Sequence, residues 1–305
     1  MPRVLVTQAI DPAGLAILES AGLDAVVREG EAPITREELL SGLAGCVALI
    51  PMPSDRVDAE ILDAAPLKIV ANHAVGVDNI DREAARKRGI EVTNTPGVLT
   101  EATAELTLAL LLATARRVVE ADAFLRRGDF KGWRPLLLRG FELHGATLGI
   151  IGKGRIGTAV AERAAAFGMH VVHHNRSSGL VLSALLEQSD VISIHCPLSE
   201  STRHLIGEAE LAAMKPTAIL INTARGAVVH EAALVRALDT GQITAAGLDV
   251  FEDEPAVHPG LVGRDDVVLL PHIGSATHRC RRRMAELAAE NVVAVLSGKP
   301  ALNPV

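Results

Sequence analysis

The sequence is poor in aromatic residues and in cysteine. None of its 305 residues is tyrosine, one is tryptophan and only 2% are aromatic, which argues against the base-stacking surfaces of single-stranded nucleic-acid binding proteins. The three cysteines, Cys46, Cys196 and Cys280, are widely separated and show neither CxxC nor Cys/His ligand spacing. We interpret them as core thiols of a reduced, cytoplasmic protein, so neither disulfides nor a metal site are expected.

Long apolar runs are also lacking, and we expect no signal peptide. The N-terminus, MPRVLVTQ, reads directly as a strand, so no secretory signal is expected. The longest apolar stretch, residues 106–115, is interrupted by Thr107 and Thr114 and is too short to cross a bilayer. A net charge of -7 argues against nucleic acid as the main partner, although a local site can still bind an anion. We therefore expect neither a membrane nor a nucleic acid as partner.

Short β-branched runs alternate with helical patterns over most of the chain. This alternation indicates parallel strands joined by crossover helices, an α/β fold. One series ends at the turn Asn94–Gly97, and a second begins at Ala146. Between them we predict one long Ala/Leu-rich helix from Thr100 to about Val119, followed by the irregular segment Arg127–Gly145. A last predicted helix, Ser275–Leu296, is long enough to return to the first series.

A glycine fingerprint opens the second series. The buried strand Leu148–Ile151 runs into Gly152, Gly154 and Gly157, and a helical pattern follows. The first glycine permits a tight turn, the second lets the backbone approach a pyrophosphate and the third allows close packing of helix and strand. Strand, fingerprint and helix occur in the order of a dinucleotide site, so a merely structural turn is the less favoured alternative. The predicted cofactor contacts here are Gly152, Lys153, Gly154, Arg155, Ile156 and Gly157.

The end of the next strand bears on which nicotinamide cofactor binds. An NAD-preferring site places Asp or Glu there to bind the ribose 2′-hydroxyl. This chain has Asn175, Arg176 and Ser177 instead. An acidic side chain would repel a 2′-phosphate, whereas Arg and Ser would bind one. We predict a preference for NADPH, with NADH possible if Arg176 is only a solvated loop charge.

Three polar residues follow successive predicted strands further along. Arg225 comes after one strand, Glu254 lies shortly beyond the next, and His272 comes just after a third. Ligands of open α/β sheets bind at the carboxyl ends of the strands, so these side chains are expected in one crevice. Each also has an ordinary explanation: a surface ion pair, a turn before proline or a core histidine. Together with the glycine loop they predict the binding of a carboxylate-bearing ketone and proton transfer to its oxygen.

These segments resemble the D-isomer-specific 2-hydroxyacid dehydrogenase family, and most of all its glyoxylate/hydroxypyruvate reductase branch. The string HIGSATH, residues 272–278, and the Asn175–Ser177 segment favour that branch. The matching pieces span most of the chain: residues 75–81, 94–96, 152–157, 195–198, 214–216, 222–229, 249–255 and 272–278.

The resemblance implies specific roles. His272 would protonate the substrate oxygen, Glu254 would orient and charge that imidazole, and Arg225 would bind the substrate carboxylate and carbonyl. The substrate contacts implied in the first domain are Met52, Ala74, Val75, Gly76 and Val77, with Met52 equally explained as core. The further cofactor contacts are Thr100, Cys196, Pro197, Thr202, Thr223, Ala224, Arg225, Asp249, His272 and Gly274. Thr100 is equally well explained as a helix N-cap, and Asp249 would either touch the nicotinamide amide or orient Arg225.

The resemblance also implies an architecture. We expect two Rossmann- or flavodoxin-like domains with parallel sheets and an active site in the cleft between them. The substrate-binding domain would comprise residues 1–98 plus 284–305, and the dinucleotide-binding domain residues 99–283. A homodimer is implied, with the segment around Trp133 extending across its interface, although ordinary packing of Trp133 is the alternative.

Two features depart from the family. Lys153 occupies a fingerprint position that is usually apolar, and the stretch Ser177–Ser183 is short, with no clear strand. The activity predicted is NADPH-dependent reduction of glyoxylate, hydroxypyruvate or similar 2-oxo acids to D-2-hydroxy acids. The alternatives are a broader 2-ketoacid reductase, a phosphoglycerate-type dehydrogenase, or a dinucleotide-sensing corepressor that binds partner peptides.

Overall fold

A computed structural model describes all residues from Met1 to Val305. The chain divides into two compact units. The first unit contains Met1–Leu99 and Ser275–Val305, and the second contains Thr100–Gly274. The domain boundaries predicted from the sequence lie after residues 98 and 283, and the second falls inside the last helix. In the structure the chain leaves the second unit before that helix, which therefore belongs wholly to the first unit.

The first unit is a parallel sheet with helices. Its strands are β1 (Arg3–Val6), β2 (Asp24–Val27), β3 (Cys46–Ile50), β4 (Ile69–Ala71) and β5 (Glu91–Thr93). Its helices are α1 (Pro12–Ser20), α2 (Arg36–Gly42), α3 (Ala59–Asp63), α4 (Arg82–Lys87) and, at the end of the chain, α11 (His278–Leu296). The strand order is β2-β1-β3-β4-β5, with every pair parallel. Helix α1 packs against α11, and the apolar residues of β1, β3 and β4 form the core with them.

The second unit contains a larger sheet with helices, and all its strand pairs except β7–β8 are parallel. Its strands are β6 (Thr147–Ile151), β7 (His170–Asn175), β8 (Ser178–Gly179), β9 (Val191–Ile194), β10 (Ile219–Asn222), β11 (Ala245–Leu248) and β12 (Val267–Leu269). Its helices are α5 (Thr100–Ala115), α6 (Val118–Arg126), α7 (Arg155–Ala166), α8 (Leu182–Gln188), α9 (Glu208–Ala212) and α10 (Glu231–Asp239). The order is β12-β11-β10-β9-β6-β7-β8. Strands β9, β10 and β11 are buried along their whole length, as parallel strands covered on both faces should be.

Two elements of the second unit differ from the sequence-based predictions. A short strand, β8, does exist between Ser177 and Ser183, and it pairs antiparallel with β7. The helix that begins at Thr100 ends at Ala115 rather than near Val119, and α6 follows it. Arg117 has a left-handed backbone with φ of 52°, and the Ala115 carbonyl accepts a hydrogen bond of 2.7 Å from Phe141 N–H. A contact with a distant segment therefore ends this helix.

The segment after α6 exposes large apolar side chains. Trp133 is 83% exposed and Leu136 is 71% exposed. Trp133 is therefore not packed within this chain, so that alternative is wrong. The homodimer implied by the resemblance stays a prediction. None of the helices is sufficiently long and apolar to span a membrane.

His73, after β4, is a buried group that lacks hydrogen bonds. Its side chain is 4% exposed, and neither ring nitrogen has a partner within the protein. The hydroxyls of Thr93 and Thr95, on and just after the neighbouring strand β5, also lack partners. Burial, together with the positive charge of Arg281, lowers the pKa of His73 to about 4. The imidazole is therefore neutral in the folded protein at neutral pH.

Replacing this imidazole should reduce the sensitivity of the first unit to acid. An unfolded histidine has a pKa near 6.5, above the folded pKa of about 4. The neutral ring thus contributes stability above pH 6.5 that is lost as the pH falls toward 4. Between pH 7 and pH 5, His73→Met should gain about 2 kcal/mol in unfolding free energy relative to the wild type. Urea unfolding at both pH values measures this gain. His278→Met, which removes an exposed histidine of the same unit, is the control, and an equal gain there would contradict the assignment.

Candidate active site

The glycine loop connects β6 to α7 in a conformation that requires glycine. Gly152 has a positive φ of 92°. A Cβ atom there would lie 2.5 Å from the backbone nitrogen of Cys196, so no larger residue fits against that neighbouring segment. The N–H of Gly152 donates to the His174 carbonyl at 2.9 Å. The loop is thus held by the ends of β7 and β9.

The start of α7 suits the phosphates of a dinucleotide. Gly154 is its N-cap residue and supplies no side-chain cap, so the first amides of the helix are available to another acceptor. A Cβ atom on Gly154 would meet nothing within 4 Å, which means that the loop borders open space on that side. Free amides and the positive end of the helix dipole bind anions. Residues 152–157 therefore fit the cofactor predicted for them.

The end of β7 ties this loop to the β7–β8 turn. The Asn175 Oδ1 atom accepts the Lys153 N–H at 2.6 Å, and its Nδ2 atom donates to Ser178 Oγ at 3.3 Å. Arg176 and Ser177 are exposed in the turn that follows. Asn175 therefore positions the glycine loop, and the turn presents a cation and a hydroxyl where an NAD-preferring site has a carboxylate.

Other predicted cofactor residues take part in local contacts around the sheet edge. The Cys196 backbone lies against Gly152, while burial raises the pKa of its thiol to about 11, so the sulfur is unreactive. The Thr202 hydroxyl closes the turn after β9 by donating to the Pro197 carbonyl at 2.7 Å. Thr223 shares a 2.9 Å hydrogen bond with Thr107 of α5, a contact that sequence reasoning missed.

Arg225 is carried by a turn that a buried asparagine holds in place. Asn222, 1% exposed at the end of β10, donates from Nδ2 to the Arg225 carbonyl at 2.9 Å and accepts the Ala224 N–H at 3.0 Å. The Arg225 Nη1 atom donates to the Ala224 carbonyl at 2.8 Å. The side-chain amide of Asn222 thereby fixes the backbone of the turn that carries Arg225.

Glu254 and His272 form a direct hydrogen bond. The His272 Nδ1 atom lies 2.8 Å from Glu254 Oε2, and the Phe251 N–H donates to Glu254 Oε1 at 3.0 Å. Burial by itself would raise the pKa of Glu254, but the hydrogen bond and charge of His272, the Phe251 N–H and the charge of Arg225 lower that pKa overall. Glu254 is therefore ionised at neutral pH and can only accept. It follows that Nδ1 carries a proton and Nε2 faces away from the carboxylate.

The loop that carries His272 is held by Asp249. His272 has a left-handed backbone with φ of 53°. Asp249, fully buried after β11, accepts the N–H of Ile273 at 2.7 Å and that of Gly274 at 2.8 Å, one on each carboxylate oxygen. Burial raises the pKa of Asp249 despite these two bonds. Asp249 was predicted from the sequence to touch the nicotinamide amide or to orient Arg225, and its contact with the His272 loop was not predicted.

The residues predicted in the first unit form a loop whose carbonyls are occupied. Side-chain amides donate to the carbonyls of Val75 and Gly76, at 2.7 and 2.6 Å, and Thr95 N–H donates to that of Ala74. The amides of residues 74–77 have no acceptor within the protein. Successive free amides form an anion-binding nest.

Two other predicted contact residues lie outside this loop. Met52 is buried, and its N–H donates to Asp55. Thr100 is the first residue of α5.

The glycine loop and the carboxylate–imidazole pair of the second unit together define a dinucleotide-dependent oxidoreductase. Residues 108–274 match the family described as "D-isomer specific 2-hydroxyacid dehydrogenase, NAD binding domain". A glyoxylate reductase of Thermococcus litoralis is 50% identical over 98% of this chain and 95% of its own length. The chain therefore belongs to the D-isomer specific 2-hydroxyacid dehydrogenase family, as its motifs predicted.

Solved structures agree in fold over the whole length. The crystal structure of a protein from Thermus thermophilus is 52% identical, with a TM-score of 0.95 over 99% of each chain. An NADPH-dependent glyoxylate/hydroxypyruvate reductase of Sinorhizobium meliloti, solved with NADP and malonate, is 38% identical, with a TM-score of 0.88 over 100% of this chain and 96% of that one. The predicted α/β class with parallel sheets is confirmed by this likeness and by the strand pairing.

Asp249→Asn should displace the His272 loop. The amide NH2 of asparagine cannot accept, so one of the two loop N–H groups loses its partner. If His272 is the proton donor that the sequence predicts, a small displacement of its ring should lower kcat roughly 10- to 100-fold. Steady-state kinetics measure this loss, and circular dichroism checks that the variant is folded. Asp265→Asn, which alters another acidic residue of the second unit, is the control. A kcat equal to that of the wild type would show that Asp249 does not position His272.

Proposed function

We propose that this protein reduces small 2-oxo acids, glyoxylate or hydroxypyruvate first, to 2-hydroxy acids, with NADPH as the preferred cofactor. The product would be the D-isomer wherever a stereocentre results. The observation that carries the proposal is the 2.8 Å hydrogen bond between Glu254 and His272, on the same unit as Arg225 and the glycine loop. The glyoxylate reductase names of the relatives support the substrate class.

His272 is the proposed proton donor. Its Nδ1–H is bound to ionised Glu254, so the Nε2 atom is the one available to a substrate oxygen. The carboxylate favours the charged imidazolium by direct electrostatic attraction and fixes the plane of the ring. When bound, the nicotinamide cofactor supplies the hydride for the carbonyl carbon. Transfer of the Nε2 proton to the carbonyl oxygen then completes the hydroxyl group.

Arg225 is the proposed electrostatic group of the site. A guanidinium binds a carboxylate through two parallel hydrogen bonds and stabilises negative charge that develops on a neighbouring oxygen. The backbone turn that carries it is fixed by Asn222, so little reorganisation is needed when charge develops. In the first unit, we assign the free amides of residues 74–77 to binding of the substrate carboxylate. We assign Met52 as a further substrate contact.

The preference for NADPH follows from the end of β7. Exposed Arg176 and Ser177 supply a cation and a hydroxyl in the turn after Asn175, and no carboxylate occurs there to repel a 2′-phosphate. The Sinorhizobium meliloti relative, described as NADPH-dependent and solved with NADP, supports this choice. The homodimer remains part of the proposal, with the exposed segment around Trp133 as its contact region.

A substrate panel with both cofactors tests the proposed function. Initial rates with glyoxylate, hydroxypyruvate and pyruvate should show turnover, and kcat/KM should be roughly tenfold or more higher with NADPH than with NADH. A preference for NADH would contradict the cofactor assignment. No turnover of any 2-oxo acid would overturn the enzymatic proposal and favour a dinucleotide-sensing binding protein.

Arg176→Ala isolates the source of that preference. Loss of one charge-assisted contact should raise the KM for NADPH roughly 10- to 100-fold and leave the KM for NADH nearly unchanged. Arg126→Ala, at an exposed arginine of α6, is the matched control. Equal changes for the two cofactors would show that Arg176 does not bind the 2′-phosphate.

Glu254→Gln tests the proton-donating pair. A neutral amide does not favour the charged imidazolium, so kcat at pH 7 should fall by roughly 100-fold while KM changes less. For reduction, the alkaline limb of the pH–rate profile should move to lower pH, because the negative charge of Glu254 is lost. Asp253→Asn removes a charge from the same turn without touching the pair and serves as control. Unchanged activity of Glu254→Gln at neutral pH would rule out the role.

A further inference from the structure

The turn that carries Glu254 is also held from its other side, by a reciprocal pair of glutamates. The Glu252 N–H donates to Glu231 Oε1 at 2.7 Å, and the Glu231 N–H donates to Glu252 Oε2 at 3.2 Å. Each carboxylate thus binds the backbone of the other residue. The two residues are distant in sequence, so this pair connects the start of α10 to the turn after β11.

The Glu231 carboxylate is buried, and burial raises its pKa. The side chain is 6% exposed and lies at the first position of α10, where the helix dipole favours a negative charge. The nearby charge of Glu252 opposes its ionisation. Two neighbouring carboxylates repel each other and lower the stability of the fold unless hydrogen bonds compensate. Here the hydrogen bond from the Glu252 N–H fixes the position of that peptide group.

The second carboxylate, that of Glu252, is secured by histidines. The His204 Nε2 atom hydrogen-bonds to Glu252 Oε1, and the His204 N–H donates to the Ala227 carbonyl at 2.8 Å. The rings of His204 and His230 meet edge to face with centroids 4.6 Å apart. Burial raises the pKa of Glu252, but His204, the Glu231 N–H and the charge of His230 lower it overall. Glu252 is therefore an ionised anchor.

The glutamate pair adjoins both polar groups of the active site. The N–H of Phe251 binds Glu254 Oε1, and the next N–H, that of Glu252, binds Glu231. A Cβ atom on Gly226 would collide with the backbone of Phe251 and Glu252, so the segment after Arg225 lies directly on this turn. A shift of the turn would therefore move Glu254 relative to His272 and disturb the segment of Arg225.

We propose that Glu231 is a positioning residue for proton transfer: by holding the Glu252 N–H it fixes the turn that directs Glu254 at His272. Glu231 touches neither member of the Glu254–His272 pair in this arrangement and acts through the turn alone. The inference rests on the proposed function, because its readout is the reduction catalysed by that pair.

Glu231→Met tests the inference, since methionine fills a similar volume and accepts no hydrogen bond of comparable strength. The variant should lose roughly 10- to 100-fold in kcat, because a small misplacement of a catalytic group has effects of that size. The KM for NADPH should change little. The alkaline limb of the pH–rate profile should move in the same direction as in Glu254→Gln. Glu208→Met, which removes an exposed ion-pair partner of Arg236 on α10, is the matched control and should retain the wild-type kcat and profile.

Two further variants distinguish positioning from loss of stability. Glu231→Gln keeps a carbonyl acceptor and should recover most of the kcat lost in Glu231→Met. In the Glu254→Gln background, Glu231→Met should have almost no additional effect on kcat, because the interaction through which it acts is already gone. Full multiplication of the two effects, or an unshifted pH–rate profile in Glu231→Met, would overturn the proposal.

A separate variant covers the case in which Glu231→Met does not fold. His204→Asn releases Glu252 from the exposed side, and asparagine tolerates the left-handed backbone of this position, φ 52°. It should shift the profile in the same direction by a smaller amount, and an unshifted profile would count against the inference. If the wild type reduces no 2-oxo acid, the proposed function fails. If the wild type is active and these variants match it, only the role of Glu231 fails.

Discussion

The hydrogen bond between Glu254 and His272 is the interaction on which the chemistry of this site depends. An ionised carboxylate has no proton to donate, so its presence at 2.8 Å determines which ring nitrogen carries hydrogen. The remaining nitrogen, Nε2, is then directed away from the carboxylate. One contact therefore determines the tautomer and the orientation of the imidazole.

The surrounding backbone is organised to keep that contact in place. Parallel strands β10, β11 and β12 are neighbours, and their carboxyl ends carry the turns of Arg225, Glu254 and His272. Each turn is tied by a polar side chain: Asn222 holds the first, Glu231 holds the second through Glu252, and Asp249 holds the third. These ties are hydrogen bonds from fixed side chains to backbone groups. The sheet determines where the three turns lie. These hydrogen bonds determine how the side chains of Arg225, Glu254 and His272 are oriented.

The sequence allowed the fold class to be predicted, and it indicated Glu254 and His272, which lie 2.8 Å apart. It did not indicate the hydrogen bonds that hold the three turns in place. Periodicity and glycine spacing are local signals, and they were sufficient for the parallel sheets and for the loop at Gly152. The hydrogen bonds of Glu231 and Asp249 join distant segments, and no local pattern indicates them. The predicted end of α5 near Val119 was wrong for the same reason, since the Phe141 N–H that binds the carbonyl of its last residue, Ala115, is remote in sequence. Strand β8 has only two residues, too few for an alternation to be recognised.

These features also explain where the second unit accepts local strain. A left-handed backbone at a non-glycine residue such as His272 costs about 1–2 kcal/mol, and a buried carboxylate such as Asp249 is unfavourable when its acceptors are not filled. Two N–H bonds from the His272 loop to Asp249 reduce both costs, because they bind the carboxylate and stabilise the unusual backbone. The same reasoning applies to Glu231 and Glu252, whose carboxylates each accept the other's backbone N–H. Part of the strain and buried charge of the second unit thus lies beside the groups whose orientation the proposed proton transfer requires.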